Sequence, residues 1–325
     1  MVRHINKFEL SEFSPGNVYR VYFDLISDSF GRPISLPLII AMGKKPGKTL
    51  GLTAAVHGNE LNGIKVIHNL IDEVGGRLGE LSGNIIAVPG VNVPGIHRHA
   101  RRFVDGIDLN RVMPGKAKGN ASEVFASRFL KRIVSKFDFL VDLHTASFGR
   151  VNSYYVRADL EDSLTYRMAL SQHPQIVLHN KGRDGSLRSA AAKMGIPAIT
   201  VEVGNPQLFQ NDIIQFSYTG LKNLLDTLGL LSNSWEPELD PSVCSKSQWI
   251  YTDEGGLLEV LPKVAAKVQK GEVISRITNI FGELRKTYTA PFDSIVIGKS
   301  TNPAGQTGAR IIHLGVEDPG FGQRS

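Results

Sequence analysis

Short apolar runs alternate with stretches of helical period along most of the chain, and this alternation restricts the fold more than any other feature. The apolar runs are short and aliphatic, as strands buried on both faces are, and they include residues 49–56, 84–88, 139–143 and 198–203. Between them, residues 61–74 and 122–137 repeat apolar side chains at helical spacing. The alternation predicts an α/β domain whose sheet is covered by helices on both faces.

The alternation stops near Leu231, and a different pattern follows. Residues 232–245 contain asparagine, aspartate and two prolines, which is typical of a linker. Beyond them, short strand-like runs are separated by glycines, as in small all-β modules. We therefore predict two domains, an α/β catalytic domain at residues 1–235 and a small all-β, barrel-like domain at residues 236–325.

Composition excludes several classes of protein. The formal net charge is +6, but the basic residues are dispersed apart from a cluster at residues 97–102, which argues against nucleic-acid binding. No apolar run reaches the roughly 18 residues of a membrane span. The single cysteine, Cys244, excludes an internal disulfide, and the N-terminus lacks a signal-peptide pattern, so a cytoplasmic protein is expected. The sequence leaves open whether the chain forms a homo-oligomer.

Two of the predicted strands end beside a histidine and an acidic residue. The first leads to His57 and Glu60, whose spacing at a strand-to-helix turn lets both side chains face one centre. The second ends in Asp142-Leu143-His144. Because strand ends share one edge of an α/β sheet, these two histidines and Glu60 are candidate ligands of a catalytic zinc ion with an open fourth position. Without a metal, the same residues would serve as a helix cap and a hydrogen-bonded core histidine.

Two further signals lie in a loop and in a strand. The loop contains Asp108-Leu109-Asn110-Arg111, with Arg101 and Arg102 upstream, and it is either a carboxylate-binding loop or a solvated basic one. Glu202 stands inside an apolar strand, where a carboxylate is costly unless it is paired or functional. Burial would raise its pKa towards the range of a general base, whereas a structural salt bridge is the alternative.

Four motifs, taken in this order, resemble those of the succinylglutamate desuccinylase/aspartoacylase family, a branch of the zinc carboxypeptidase fold: His57-Gly58-Asn59-Glu60, Asp108-Leu109-Asn110-Arg111, Asp142-Leu143-His144 and Glu202-Val203-Gly204. The loop at residues 89–95 is similar to the Pro/Asn/Gly loop of that family, and the resemblance extends over residues 49–206. It implies a mixed-sheet, zinc-carboxypeptidase-like α/β/α domain followed by the small all-β domain.

The resemblance also implies a metal site and a catalytic carboxylate. His57, Glu60 and His144 would hold one Zn²⁺ per chain, and Glu202 would activate the metal-bound water and later protonate the leaving amine. This agrees with zinc chemistry, because bound zinc lowers the pKa of water to about 7 and polarises an amide oxygen.

Four more residues receive roles from the same resemblance. Asn110 and Arg111 would bind the carboxylate of the substrate, and Arg188 would be a second contact to it. Arg102 is similar to the arginine of the family that polarises the scissile carbonyl. An arginine in that place would stabilise the oxyanion of amide hydrolysis where its charge develops.

These roles predict a zinc-dependent amide hydrolase that removes an acyl group from an N-acyl amino acid or a similar small amide. Two alternatives stay open: a metallocarboxypeptidase that acts on peptides, and a non-catalytic relative that kept the fold and only binds a ligand.

The C-terminal region resembles biotinyl/lipoyl-type domains at residues 265–274 and 289–296. Glu283 occupies the position that the modified lysine has in biotin carriers, and Lys286 is displaced from it. We therefore predict a structural or gating role for this region rather than a carrier role.

Overall fold

The computed structural model describes residues 2–182, 184–233 and 240–321. Its strands are β1 (Arg3–Ile5), β2 (Asn17–Ser27), β3 (Pro33–Met42), β4 (Lys45–Ala54), β5 (Ser82–Val88), β6 (Phe139–His144), β7 (Arg150–Asn152), β8 (Tyr155–Ala158), β9 (Ile176–His179), β10 (Ala198–Glu202), β11 (Ser242–Tyr251), β12 (Gly256–Val260), β13 (Lys267–Val268), β14 (Val273–Thr278), β15 (Leu284–Thr289), β16 (Ser294–Ser300), β17 (Ala304–Gly305) and β18 (Arg310–Glu317). Its α-helices are α1 (Asn62–Gly75), α2 (Val93–His97), α3 (Ala121–Arg132), α4 (Ser163–Leu170), α5 (Leu187–Lys193) and α6 (Asn211–Thr227).

The larger sheet of the described residues is mixed and has 14 strands. Its order is β1-β2-β3-β5-β4-β6-β10-β8-β9-β11-β18-β16-β13, and β7 pairs with β16. Strand β4 is parallel to β5 and β6, and β6 is parallel to β10, whereas β8 is antiparallel to β10. The smaller, antiparallel sheet has the order β15-β14-β12-β17. This is the mixed α/β architecture expected from the sequence.

Helices cover both faces of the larger sheet. Helices α1, α4 and α6 pack in one hydrophobic core, which includes Leu70 and Leu221. Helices α3 and α5 pack in a second core, which includes Phe125. Ile85 of β5 belongs to the first core and its neighbour Ile86 to the second. Because successive side chains of a strand point to opposite faces, the central strands are buried on both sides, which explains their continuous apolar sequence.

The first turn of α1 lies directly on the ends of β4 and β6. A Cβ atom at Gly63 would be only 2.6 Å from the Cβ of Leu143 and 3.0 Å from that of Ala54, so glycine permits this close approach. Val66 and Ile67 then bury the next turn of the helix against the sheet. This packing holds the connection between β4 and α1 above the carboxyl ends of the two strands.

The C-terminal strands differ from the prediction in how they join the α/β part. Strand β9 pairs in parallel with β11, so β11, β18, β16 and β13 continue the larger sheet, and only the other four form a separate sheet. The predicted linker at residues 232–245 is too long, because β11 already begins at Ser242. The predicted domain boundary at residues 235/236 lies outside the described residues. None of the helices described is both long and apolar enough to cross a membrane.

Candidate metal centre and active site

Three neighbouring parallel strands carry the site at their carboxyl ends. Strand β4 leads to His57 and Glu60, β6 ends in His144, and β10 ends in Glu202. Glu202 is the register partner of His144. Since paired residues of adjacent parallel strands point to the same side of a sheet, these side chains converge in the crevice where α/β sheets bind ligands.

His57, Glu60 and His144 each bring one ligand atom to a common centre. The Nδ1 of His57 lies 3.0 Å from Oε1 of Glu60 and 3.2 Å from Nδ1 of His144, which is 2.9 Å from Oε2 of Glu60. Ligand atoms of a tetrahedral zinc site with bonds of about 2.0–2.1 Å are separated by about 3.3 Å. All three side chains are buried, and two imidazoles with one carboxylate form a typical catalytic zinc set. The residues therefore fit the ion that the resemblance implies.

Each of the two imidazoles contacts a carboxylate through its Nε2 atom, on the side of the ring away from the cluster. The Nε2 of His57 is 2.9 Å from Oδ1 of Asp108, and the Nε2 of His144 is 2.8 Å from Oδ2 of Asp142. Asp142 also accepts a hydrogen bond of 2.7 Å from the hydroxyl of Thr53. When Nε2–H donates to a carboxylate, the lone pair of Nδ1 is free for a metal. Both imidazoles are therefore oriented as metal ligands are in zinc enzymes.

The backbone at Gly58 explains why the turn after β4 is compact. A Cβ atom at this position would lie 2.1 Å from the carbonyl carbon of Gly95 in α2, so a larger residue would force the two segments apart. The amide of Glu60 donates to the carbonyl of His57 at 3.0 Å, which closes the turn. The two predicted ligands of the motif are thereby held by backbone contacts.

Arg101 balances the negative charge around the centre. It donates to Oε1 of Glu60 at 2.8 Å and twice to Oδ2 of Asp108 at 3.1 and 3.0 Å. Burial acts against the charge of Glu60, but His57 and His144 hold its pKa well below the usual range. Burial likewise opposes ionisation of Asp108, and its bonds to His57 and Arg101 lower its pKa. Both carboxylates are therefore anionic.

Glu202 is buried beside this centre, with 8% of its surface exposed. Burial raises its pKa, although Arg157 and His144 act in the opposite direction. Its Oε2 accepts a hydrogen bond of 3.2 Å from the side-chain amide of Asn152, and its Oε1 lies 3.5 Å from the hydroxyl of Tyr155. A buried carboxylate with a raised pKa accepts and returns a proton more readily than an exposed one.

Asn110, Arg111 and Arg188 line the same cavity. Asn110 accepts a hydrogen bond of 2.7 Å from the backbone amide of Leu187, and its amide nitrogen is 3.4 Å from Nε2 of His144. Arg111 is exposed, and its nearest carboxylate is Asp184 at 3.6 Å. Arg188 is buried and donates to the backbone carbonyl and the side-chain oxygen of Asn180 at 2.8 and 2.6 Å.

The structure does not bring Arg102 to the cavity. Its guanidinium is on the surface and donates to the carbonyl of Gly106 at 3.0 Å. Of these two consecutive arginines, Arg101 is the one that lines the cavity. Consecutive residues of this loop diverge because Phe103 is buried in the second hydrophobic core, which turns Arg102 towards solvent.

The cavity has a volume of about 320 Å³ and a strongly polar lining. Its lining includes side chains that the sequence did not predict: Ser147, Arg150, Asn152, Tyr155, Arg157, Asp184, Trp249 and Arg310. A groove of about 490 Å³ lies beside β2, β3 and α1, but its titratable groups, such as His68 and Asp72, form no metal-binding cluster among the described residues.

The sequence contained a weak indication that Tyr155 and Arg157 line the site. They alternate along β8, and an arginine in an otherwise apolar strand is unusual. Tyr155 is the register partner of Glu202, which explains its contact with the carboxylate. Trp249 and Arg310 had no comparable local signal, because pairings between strands far apart in the chain, including β11 with β9 and with β18, bring them to the cavity.

Fold and site together define an α/β protein with a candidate catalytic metal centre, and comparison with known families agrees. The model of the "Succinylglutamate desuccinylase/Aspartoacylase catalytic domain" family matches residues 46–228. The chain belongs to this family, which confirms the resemblance of its motifs.

Individual proteins are similar to this chain in sequence or in fold. The chain is 26% identical to N-alpha-acetyl-L-2,4-diaminobutyric acid deacetylase of Halomonas elongata. The aligned region has 245 residues, which are 71% of this chain and 70% of the relative. The product-bound structure of the ectoine utilization protein EutE from Ruegeria pomeroyi superposes with a TM-score of 0.81 at 21% identity, covering 92% of this chain and 95% of the other. A succinylglutamate desuccinylase from Silicibacter has a TM-score of 0.80 at 21% identity, covering 93% and 95%. These two structures share the fold over almost the whole chain.

Proposed function

We propose that this protein is a zinc-dependent amide hydrolase that removes an acyl group from an N-acyl amino acid. The observation that carries the proposal is the cluster of His57, Glu60 and His144 next to the buried carboxylate of Glu202. Relatedness to an N-acetyl-diaminobutyric acid deacetylase supports the reaction type. A zinc-carboxypeptidase-like fold of the α/β domain is part of the proposal and is supported by the position of the ligands at strand ends.

The metal would be held by His57, Glu60 and His144, and when bound it would supply a Lewis acid for the amide oxygen and a nucleophilic water at neutral pH. Asp108 and Asp142 hold the two imidazoles in the orientation that ligation needs. Glu202 takes a proton from the attacking water at its carboxylate and then gives it to the amine nitrogen as the carbon–nitrogen bond breaks. The raised pKa of Glu202 suits both transfers.

Arg101 is the residue that we propose for stabilising the oxyanion. Of the five N–H donors of its guanidinium, four are used by Glu60, Asp108 and Ser147, which leaves one for a substrate oxygen. Asp108 and Glu60 fix its plane, so no reorganisation is needed when negative charge develops on the substrate.

Asn110, Arg111 and Arg188 are proposed to hold the α-carboxylate of the amino acid. Arg111 is the best placed of these for an incoming anion, because its carboxylate neighbour Asp184 is 3.6 Å away and therefore only weakly bonded. The side chain of Asn110 is anchored by the backbone amide of Leu187, and its amide nitrogen lies 3.4 Å from Nε2 of His144 at the cavity wall.

The test is a substrate panel combined with metal analysis. Purified protein would be assayed with N-acetyl, N-succinyl and N-formyl amino acids and with peptides that have a free C-terminus, and its metal would be measured by elemental analysis. The proposal expects about one divalent ion per chain and amine release from N-acyl amino acids. Release of C-terminal residues from peptides alone would instead support a metallocarboxypeptidase, and no turnover with bound ligand would support a non-catalytic relative.

Substitution of the two consecutive arginines distinguishes their roles. We expect Arg101→Gln to lower kcat about 10²- to 10³-fold, the usual effect of losing one oxyanion donor. We expect Arg102→Gln to change kcat by less than about 2-fold, because its side chain is on the surface. Steady-state kinetics and metal content of both variants provide the measurement. An equal loss in Arg102→Gln would contradict the assignment of the oxyanion contact to Arg101.

A further inference from the structure

A groove outside the metal-centre cavity has no part in the proposed reaction. It lies between α1 and the strands β2 and β3, and its volume of about 490 Å³ is larger than the 320 Å³ of the cavity. The two share no lining residue in the parts of the chain that the structure describes. The volume is within the range of roughly 300–1,000 Å³ that small-molecule sites have. The groove is therefore a separate candidate binding site.

The strand side of the groove is open because α1 covers only part of the sheet. Ile39 of β3 belongs to the hydrophobic core that α1 packs in, and its register partner on β2 is Arg20. Two residues further along β2, Tyr22 pairs with Pro37. Paired residues of neighbouring strands, and residues two apart on one strand, point to the same side of a sheet. Arg20 and Tyr22 therefore project on the side of α1, where both are exposed.

The helix side of the groove is a polar stripe of α1. Lys65, His68, Asn69 and Asp72 line the groove, and their spacing of three, four and seven residues places them on one side of the helix. All four are exposed. The remaining lining is mostly apolar and includes Tyr22, Pro37 and Ile39. The groove therefore combines an apolar surface with polar groups from the strands and from the helix.

Three charged side chains of the groove have no ion-pair partner. Arg20, Lys65 and Asp72 form no hydrogen bond or ion pair within the described residues. The Nζ of Lys65 lies 5.5 Å from the ring centre of Phe209, a cation–π contact that leaves its positive charge in place. Burial and the charge of Lys65 lower the pKa of His68, Arg20 acts in the same direction, and Asp72 acts against them. His68 is therefore neutral, and the three charges lie close enough to act on one imidazole.

This arrangement matches a ligand that carries both signs of charge. Guanidinium and ammonium groups bind a carboxylate, and the carboxylate of Asp72 can bind an ammonium group. A purely anionic ligand would be attracted by Arg20 and Lys65 but repelled by Asp72, and a purely cationic ligand would meet the reverse. The apolar lining offers a surface for a hydrocarbon side chain. An α-amino acid combines all three features in one small molecule.

We propose that this groove binds a free amino acid in its zwitterionic form. The carboxylate of the ligand lies at Arg20 and Lys65, its ammonium group at Asp72, and its side chain on Tyr22 and Pro37. The inference goes beyond the proposed function, since no residue of the metal-centre cavity takes part in it. A free amino acid is also the amine product of the proposed hydrolysis, so both sites would meet the same class of molecule.

The experiment compares three probes that share a phenyl group and differ in charge. L-phenylalanine has both charges, 3-phenylpropanoate lacks the ammonium group, and 2-phenylethylamine lacks the carboxylate. Dissociation constants are measured by ligand-observed NMR titration of the full, metal-loaded chain. We expect L-phenylalanine to bind about 3- to 5-fold more tightly than either analogue, the effect of one solvent-exposed ion pair. Equal affinities of the three probes would overturn the zwitterion site.

Variants then assign each charge of the ligand to residues. Asp72→Asn should remove the advantage of L-phenylalanine over 3-phenylpropanoate, and the double variant Arg20→Gln/Lys65→Gln should remove its advantage over 2-phenylethylamine. The matched controls are Asp212→Asn on α6 and Arg285→Gln on β15, because both residues are exposed and neither lines the groove. These controls should keep the wild-type affinities. Thermal unfolding of all variants checks that they are folded.

A further variant distinguishes the groove from the metal-centre cavity. Arg111→Gln changes the cavity, and we expect it to keep the groove affinity for L-phenylalanine. Binding that is lost in Arg111→Gln but kept in the groove variants would place the ligand in the cavity and overturn the inference. No measurable binding of L-phenylalanine would also overturn it. Groove binding by a protein that turns over no N-acyl amino acid would support the groove and contradict only the proposed function.

Discussion

Glu202→Gln is expected to lower kcat about 10²- to 10⁴-fold, the range typical of a lost general acid–base group. The amide has the shape of the carboxylate, and its oxygen still accepts from the side-chain amide of Asn152. It has no basic site for the proton of the attacking water. Since Glu202 is buried and burial raises its pKa, removing its charge should leave the folded protein at least as stable. The measurement is kcat with the best N-acyl amino acid, together with the midpoint of thermal unfolding.

As a control, the Glu202→Gln protein should still bind the metal and the substrate. Glu202 is outside the group of three proposed metal ligands, so elemental analysis should find the same metal content as in the wild-type protein. Substrate affinity, measured by calorimetry, should change little. Activity of Glu202→Gln within a few-fold of the wild type would remove Glu202 from the mechanism. If both the wild-type and the Glu202→Gln protein bound the ligand without turning it over, the protein would be the non-catalytic relative.

The convergence of His57, Glu60 and His144 could be predicted from the sequence because these residues stand at or just after strand ends. His57 and His144, like the neighbouring Glu202, stand at or just beyond the ends of apolar runs that are readily recognised as buried strands. Parallel strands connected by helices bring their carboxyl ends to one edge, so residues far apart in sequence become neighbours. The order of the motifs then predicted the family, which the comparison confirms.

The choice between Arg101 and Arg102 could not be made from the sequence. The loop has no period that would tell which of two consecutive side chains points inwards. What decides it is tertiary: Asp108 and Glu60 attract the guanidinium of Arg101, and burial of Phe103 directs Arg102 outwards. Such a one-residue ambiguity is typical of irregular segments, where side-chain direction depends on distant partners.

The sequence also did not predict that the C-terminal strands contribute to the cavity. Trp249 and Arg310 belong to strands whose local sequence does not indicate that they line a cavity. Their place at the cavity depends on backbone hydrogen bonds between β9 and β11 and between β7 and β16. These pairings join segments that are far apart in the chain, and nothing in the period of either segment specifies its partner. The predicted gating role of this region therefore stays a prediction, although it supplies part of the cavity wall.

Removal of the metal is expected to abolish turnover reversibly. Dialysis against a chelator should lower kcat by at least about 10³-fold, because the Lewis acid contributes several kcal/mol of charge stabilisation in the transition state. Adding Zn²⁺ back should restore activity. The apo protein should also unfold at a lower temperature, since an ion that binds only the folded state stabilises it. Calorimetric scanning and elemental analysis before and after dialysis provide the measurements.

A pair of histidine variants locates the ion within the chain. His57→Gln removes one of the three converging ligand atoms, and we expect it to lose both most of the metal and the stabilisation by added Zn²⁺. His68→Gln is the matched control, because His68 is exposed on α1, close in sequence but away from the cluster. A His57→Gln protein that still binds one ion with wild-type affinity would contradict the site. The thermal shift caused by added Zn²⁺ is a readout besides turnover. A variant that lost activity only because its cavity is distorted would still be stabilised by Zn²⁺. A variant that lost a metal ligand would not.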